Sequence, residues 1–456
     1  MKDFFVKFYT TIKNIFSIEE LKQRIIMTLF FLIIFRLGSY IVLPGLDPAI
    51  LDAANANTAG GILGLINTFS GGAFSRTSVF ALGIMPYISA SIVIQLLTVA
   101  VPYFQKMQKE GESGRRKINQ ITRILTILIT FVQSSAYLAG TVPTEAIMID
   151  RTFFMISSMI ILTAGTIFCM WMGERITEKG IGNGTSMLIM IGIISRFPGA
   201  ILSEGASRGA AGLLFFVLEI VALFFVVMGV VLLTQAVRRI PVQYAKQMAT
   251  KGTTPANSKK LQQMGGQRSY LPLKVNAAGV MPIIFAQSLM FLPSLLASLL
   301  ADKYDWANYV ATTFADFTSW QYNVLFALLI IVFTFFYTAI TVNPTQIADD
   351  MKRNGGFVPG VKPGEATAEF ISLIIDRITF PGAIFLALVA IMPAFASMAG
   401  MNGDFAQFYG GTSLLIMVGV ILDTLQQIES YLLMKHYDGM MQTGKVTSRQ
   451  NVAVAS

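Results

Sequence analysis

Charge is what this sequence has least of. Of 456 residues, only 13% are Asp, Glu, Lys or Arg, about half the share that a water-facing domain carries. So few charges cannot cover a soluble surface, which excludes an aqueous globule. Cysteine and histidine are rarer still, with Cys169 and His436 each standing alone. One cysteine cannot close an intrachain disulfide, and one Cys with one His cannot complete a structural zinc site. The lone histidine near the C-terminus leaves no Ser–His–Asp arrangement. Cys169 lies in the apolar run ILTAGTIFCMWM and reads as a small buried hydrophobe. Nor does the start of the sequence read as a cleavable leader. Residues 1–24 instead space Phe4, Phe5, Phe8, Ile12, Ile15, Phe16 and Leu21 among charges, as expected of a cytoplasmic amphipathic helix lying on a membrane surface.

What the chain does have is hydrophobicity, at 54% of residues. Apolar runs fall at 25–43, 79–101, 120–140, 153–172, 185–201, 212–236, 276–300, 323–342, 378–398 and 412–434. A spanning helix takes about 17–25 such residues, so the expectation is an all-α polytopic membrane protein with ten transmembrane helices. Arg36 in the first run costs about 2.5–3.5 kcal/mol at a span centre, while each Leu, Ile or Phe around it returns about 0.3–0.6. Near the end of the run it can also snorkel. The span stands.

Orientation follows from Lys and Arg. With the N-terminus inside, the outer segments hold only Arg76, Arg151, Arg196, Arg208 and Lys303, and nearly all other basic residues fall on the inner side. Both termini are therefore expected in the cytoplasm. The outer segment 44–78 contains a short apolar piece, Ile62 to Phe69, too short to span and read as re-entrant or cavity-filling. The inner segments 237–275 and 343–370 are long and basic. A docking surface and plain positive-inside asymmetry account for them equally well.

Chemistry is sparse. EKGIGNGTS (178–186) lacks a preceding strand and the Gly-Lys-Ser/Thr ending of a phosphate loop, and reads as a turn capping the fifth span. Pro86, Pro282, Pro293, Pro381 and Pro393 interrupt spans, as in helices that line a cavity. Glu219, Asp376, Arg377, Asp423 and Glu429 are the intramembrane candidates besides Arg36, and no pair of them sits at mid-membrane. A secondary transporter of small solutes is the alternative reading, but it normally needs such groups near the midplane. No nucleophile, metal set or cofactor motif marks an enzyme.

Six strings, spread from the second span to the last, carry a resemblance. They are FSGGAFSRTSVFALGIMPYISASIVIQLL (69–97), KEGESGRRKINQ (109–120), ERITEKGIGNGTS (174–186), LPLKVNAAGVMPIIFAQS (271–288), FVPGVKPGE (357–365) and FYGGTSLLIM (408–417). Together they resemble the SecY family, whose members form the central channel of the Sec protein-translocation system. The resemblance implies two pseudo-symmetric inverted halves around an hourglass pore, here 25–201 and 202–434, followed by a cytoplasmic tail, 435–456. It implies a plug at 61–74, with Ile62, Leu63, Leu65, Ile66, Phe69, Gly71 and Gly72, and a pore ring of Ile84, Ile88, Ile189, Ile284 and Ile416. A lateral gate would carry Gln95 and Gln287. Motor or ribosome docking would use Lys259, Lys260, Arg268, Lys352, Arg353 and Lys362.

Ile84 and Ile88, four apart, also share one helix face on spacing alone, and an apolar constriction resists ions by dewetting. Two departures stand out. Thr185 occupies a position where the family often has another ring isoleucine, and Lys362 replaces the usual arginine, losing its bidentate fork. The implied function is a protein-conducting channel of the bacterial cytoplasmic membrane. It would pass unfolded secretory chains and release hydrophobic segments sideways into lipid. The implied partners are SecE-like and SecG-like subunits, the SecA ATPase and the ribosome.

Overall fold

In the computed structural model, the chain is described over residues 18–47, 70–209, 212–244, 268–300 and 316–442, with Phe16, 50–51, Asn67, 309–310 and 313–314 besides. Arg268, Lys109, 291–300 and 434–442 are described in backbone only. The plug positions Ile62, Leu63, Leu65, Ile66 and Phe69, and the docking positions Lys259 and Lys260, lie outside the described residues.

The helices, in chain order, are α1 (Glu19–Gly38), α2 (Met85–Ala100), α3 (Pro102–Lys109), α4 (Glu112–Thr141), α5 (Arg151–Lys179), α6 (Gly184–Arg208) and α7 (Leu213–Gln235). After two strands, β1 (Val237–Tyr244) and β2 (Arg268–Lys274), come α8 (Met281–Leu300), α9 (Trp320–Thr341) and α10 (Pro344–Arg353). A short strand, β3 (Gly356–Phe357), precedes α11 (Glu365–Met398), α12 (Gly403–Ala406) and α13 (Gly411–Gln442). Each of the ten expected runs contains one of these helices. Among the described residues, seven helices are long and apolar enough to cross a membrane, with α9 and α10 counted as one, and α2 with α3, bent by 100°, makes an eighth if the pair is one span. The bend falls at Val101, which is extended because Pro102 follows it. The protein is a multi-pass membrane protein.

Its polarity is inverted relative to a soluble bundle. Along α4, Thr122, Thr126, Thr130 and Ser134 are buried, while Ile124, Leu128, Phe131 and Val132 are exposed. Each threonine hydroxyl donates to the carbonyl one turn earlier, for example Thr126 to Thr122 O at 2.7 Å. With their polar atoms satisfied within the helix, these small residues let α2 and α5 approach closely. On α7 only Glu219 and Val230 are buried, and Leu214 is 78% exposed. Such a helix is stable only where lipid replaces water.

Two compact units emerge. Of the described residues, one gathers those up to Arg196 together with those from Val420, and the other those from Phe197 to Gly419. In the first, Leu43, Phe74, Leu82, Tyr137, Phe154 and Leu162 form a buried cluster. Tyr137 donates its hydroxyl to Phe74 O at 2.6 Å, and the two rings lie 4.6 Å apart. Residues 70–84 are a chain of turns laid against α5 at Gly165, where an added Cβ would stand 2.2 Å from Val79 O. Gly165→Ala is expected to lower stability by about 1–3 kcal/mol, the usual cost of overpacking. A thermal melt in detergent reads this, and an unchanged midpoint would contradict the close approach.

In the second unit, the two basic segments expected on the inner side are more than loops. β1 pairs antiparallel with β2 from Val237↔Lys274 to Gln243↔Arg268, and with β3 at Gln243↔Phe357 and Tyr244↔Gly356. Ile240, Val242, Leu273, Met351, Val358, Ile371 and Ile375 pack beneath this sheet. The alternation of apolar and polar residues in VRRIPVQY and RSYLPLK is the strand period that makes such a face.

Candidate functional site

The strings that carried the resemblance fold into tight backbone approaches that aim particular side chains. In GIMPYI, Gly83 has φ +52° and Ile84 sits at the N-cap of α2, with Pro86 in the helix's first turn. Proline is tolerated there because its missing N–H has no helical partner anyway. Pro86 therefore starts a helix and does not interrupt one, which corrects the expectation for that residue. Pro381 and Pro393 do lie inside α11.

Ile84 and Ile88 are buried on one face of α2, joined by the Ile88 N to Ile84 O bond at 3.1 Å. Ile84 and Ile189 line one narrow, largely apolar crevice with Phe35, Ser70, Leu82, Met85 and Leu188. Gly173 on α5 makes room: an added Cβ would meet Thr185 Cγ2 at 3.2 Å and Ile84 Cδ1 at 3.4 Å. Thr185 and Ile84 thus both border Gly173.

The GIGNGTS turn is tied down by the protein's own acceptors. Ile181 N donates to Thr28 Oγ1 at 3.0 Å, Gly182 N to Gln427 Oε1 at 2.8 Å and Gly184 N to Thr177 Oγ1 at 2.9 Å. Thr185 N donates to Asn183 Oδ1 at 3.1 Å. These donors are already engaged, which suits a cap and not a phosphate cradle.

In the second unit, Ile284 on α8 and Ile416 on α13 are both buried. Gly419 lets α13 approach the start of α8, since a Cβ there would stand 2.4 Å from Val280 Cγ1. Gly410 and Gly411 of FYGGTS play the same part against α11, where a Cβ on Gly410 would meet Val389 O at 2.6 Å. Gln287 is buried in α8, whereas Gln95 on α2 is half-buried and donates to Ser91 Oγ at 3.3 Å. Lys352 and Arg353 are exposed in the last turn of α10 and Lys362 is exposed beyond β3, while Arg268 opens β2.

Among the described residues, no group of three or more His, Cys, Asp or Glu could hold a metal ion. The sequence reading missed one charged cluster. Arg208, ending α6, donates from Nε to Glu204 Oε1 at 2.9 Å, from Nη2 to Glu219 Oε1 at 2.6 Å, and to Gly400 O at 2.9 Å. Glu204 is fully buried, and its Oε2 accepts from Asn402 N at 2.8 Å. The four-residue spacing of Glu204 and Arg208 was the available signal.

Residues 78–425 match the SecY family. This chain belongs to the SecY family. It is 41% identical to the protein translocase subunit SecY of Streptomyces coelicolor, across 95% of this chain and 99% of that one. It is 42% identical to the SecY subunit of Halalkalibacterium halodurans, across 95% of this chain and 100% of that one. The SecY fold is shared with a solved protein-conducting channel at 18% identity and a TM-score of 0.63, covering 93% of this chain and 95% of that chain. The Sec61 channel from a canine ribosome–channel complex matches at 17% identity and a TM-score of 0.58, with the same coverage. The match spans both compact units and takes in five of the six strings whole, and GIMPYI, GNGTS and GGTSLLI fall within it. The family thus arose here from residues whose backbone approaches place Ile84, Ile189, Ile284 and Ile416 inside the protein.

Proposed function

We propose that this chain is the protein-conducting subunit of a translocase in the bacterial cytoplasmic membrane, with both termini in the cytoplasm. The observation that carries the reading is its full-length identity with subunits named protein translocase. The Lys and Arg asymmetry of the segments supports the orientation. The 25–201 and 202–434 halves would flank a pore ringed by Ile84, Ile88, Ile189, Ile284 and Ile416, all of them buried and apolar. A side chain that offers no hydrogen bond can part around any translocating sequence and hold none of them.

The segment 61–74 would be the plug, with Gly71 and Gly72 at its base held by turns of positive φ. Gln95 and Gln287 would belong to a lateral gate between the second and third spans and the seventh and eighth. Lys352, Arg353 and Lys362, with Arg268, Lys259 and Lys260, would dock a cytoplasmic motor of the SecA type or ribosomal RNA phosphates. The packed sheet of β1, β2 and β3 gives that surface a rigid base. SecE-like and SecG-like subunits complete the assembly. The small-solute transporter is the weaker reading: the buried charges Glu204 and Glu219 are paired with Arg208, and the crevice at Ile84 and Ile189 is largely apolar.

The test is reconstitution of the chain with its small subunits into liposomes and measurement of protease protection of a secretory precursor driven by its motor. Protected precursor is expected, and Lys352→Glu with Arg353→Glu should cut the yield by roughly tenfold, as loss of two ionic contacts implies. Saturable uptake of a small solute with no precursor protection would overturn the reading.

A further inference from the structure

The sequence reading left Arg36 as a residue that snorkels out of the first span, but the structure gives it company. Its Nη1 donates to Gly71 O at 2.7 Å and its Nη2 to the Tyr40 hydroxyl at 2.8 Å. Arg36 lies over the Tyr40 ring, 4.7 Å from the centroid, and Arg76 lies over the same ring at 4.4 Å. Arg76 Nη1 is buried and meets no hydrogen-bond acceptor. No carboxylate among the described residues pairs with either arginine. Two guanidinium charges thus share one tyrosine face, and the π cloud offsets only part of their mutual repulsion.

Tyr40 itself is 53% exposed. It ends a stripe of exposed side chains along α1: Ile26, Leu29, Ile33 and Leu37, recurring every three or four residues. The stripe from Ile26 to Tyr40 rises about 20 Å at 1.5 Å per residue, comparable with the depth of one bilayer leaflet. A doubly cationic head above a long apolar track has the shape of an amphiphile's complement.

We propose that Arg36, Tyr40 and Arg76 form a binding site for the phosphodiester headgroup of an anionic lipid, whose acyl chain lies along the α1 stripe. Guanidinium groups suit a phosphate because their donors match its oxygens. The lipid would supply a negative charge that no described carboxylate supplies here. Because Arg36 also holds Gly71, the bound headgroup would stiffen the turn chain 70–84 that leads into Ile84. Only the choice of outer leaflet rests on the orientation proposed above.

Native mass spectrometry of the purified full chain, titrated with dioleoylphosphatidylglycerol, tests this. The wild-type chain is expected to retain one lipid that Arg36→Gln with Arg76→Gln holds on the order of tenfold more weakly, while Arg36→Lys with Arg76→Lys recovers part of the loss. Dioleoylphosphatidylcholine should be retained less well, and soluble glycerol 3-phosphate should not displace the lipid. Should the double variant fail to fold, Arg76→Gln alone suffices, since it leaves the Arg36 bond to Gly71 O in place. Equal retention of phosphatidylglycerol by wild type and Arg76→Gln overturns the site. Displacement by glycerol 3-phosphate at equal concentration also overturns it, making it a soluble phosphoester site. The assay reads no translocation, so its failure leaves the channel reading untouched.

Discussion

Ile84→Asn combined with Ile284→Asn is expected to make the resting protein leak ions. Both side chains are buried and neither offers a polar atom, so water near them finds no hydrogen-bond partner and withdraws. An amide at each position supplies donors and acceptors to the first waters that enter. Each 1.4 kcal/mol removed from the dewetting barrier is tenfold in rate, and two such changes place the expected rise in conductance at about tenfold to a hundredfold. Planar-bilayer recording of the reconstituted complex without precursor measures it. The single variants should each give less than half of the logarithmic effect if the two residues seal one constriction. A double variant as tight as wild type would remove Ile84 and Ile284 from the ring.

Arg208→Ala is expected to destabilise the second unit more than any other single change on this page. The guanidinium is the cation shared by Glu204 and Glu219, whose side chains are 0% and 6% exposed. Removing it strands two buried carboxylates without their cation, at a typical cost of about 3–5 kcal/mol. Arg208 itself keeps 24% of its side-chain surface, so solvent screens part of the loss and the lower end of that range applies. Arg208→Met with Glu204→Gln and Glu219→Gln should recover most of the stability, because the neutral amides need no counter-charge. Thermal unfolding of the purified variants decides it. If the alanine variant melts with wild type, the cluster is only a surface decoration.

The ten apolar runs were legible because lipid selects for length and hydropathy alone, and each contains a helix. The family strings were legible because close backbone approach demands glycine: no other residue fits where Gly410 faces Val389 O or Gly184 faces Gly173 O. The charged contacts were not. Arg36 finds Gly71 thirty-five residues away, and Arg208 finds Gly400 at a separation of 192, distances at which spacing in sequence carries no signal. The sheet escaped for a different reason. VRRIPVQY alternates as a strand should, but its charges and Pro241 give it the look of a linker, and β3 is only two residues long.

Pro86 shows how one residue type reads two ways. Inside an apolar run it suggests a kink, while at the first turn of α2 it fixes the φ that starts the helix. Only the turns at 70–84, which shorten the helix relative to the apolar run, decide between them.

That two-residue strand has a consequence in time. β1 and β2 are neighbours in the chain and can zip together as soon as Lys274 has been synthesised, but the partner at Gly356–Phe357 arrives only after α8, α9 and α10 have been made. Until then Tyr244 and Gln243 present an unpaired edge, and the buried layer under the sheet lacks Met351, Val358, Ile371 and Ile375. The basic face is thus assembled late in biosynthesis, by closing a long loop whose entropy must be met before the pairing rewards it. A chain that ends before Gly356–Phe357 lacks β3, α11 and α13, so this sheet is finished only in the near-complete polypeptide.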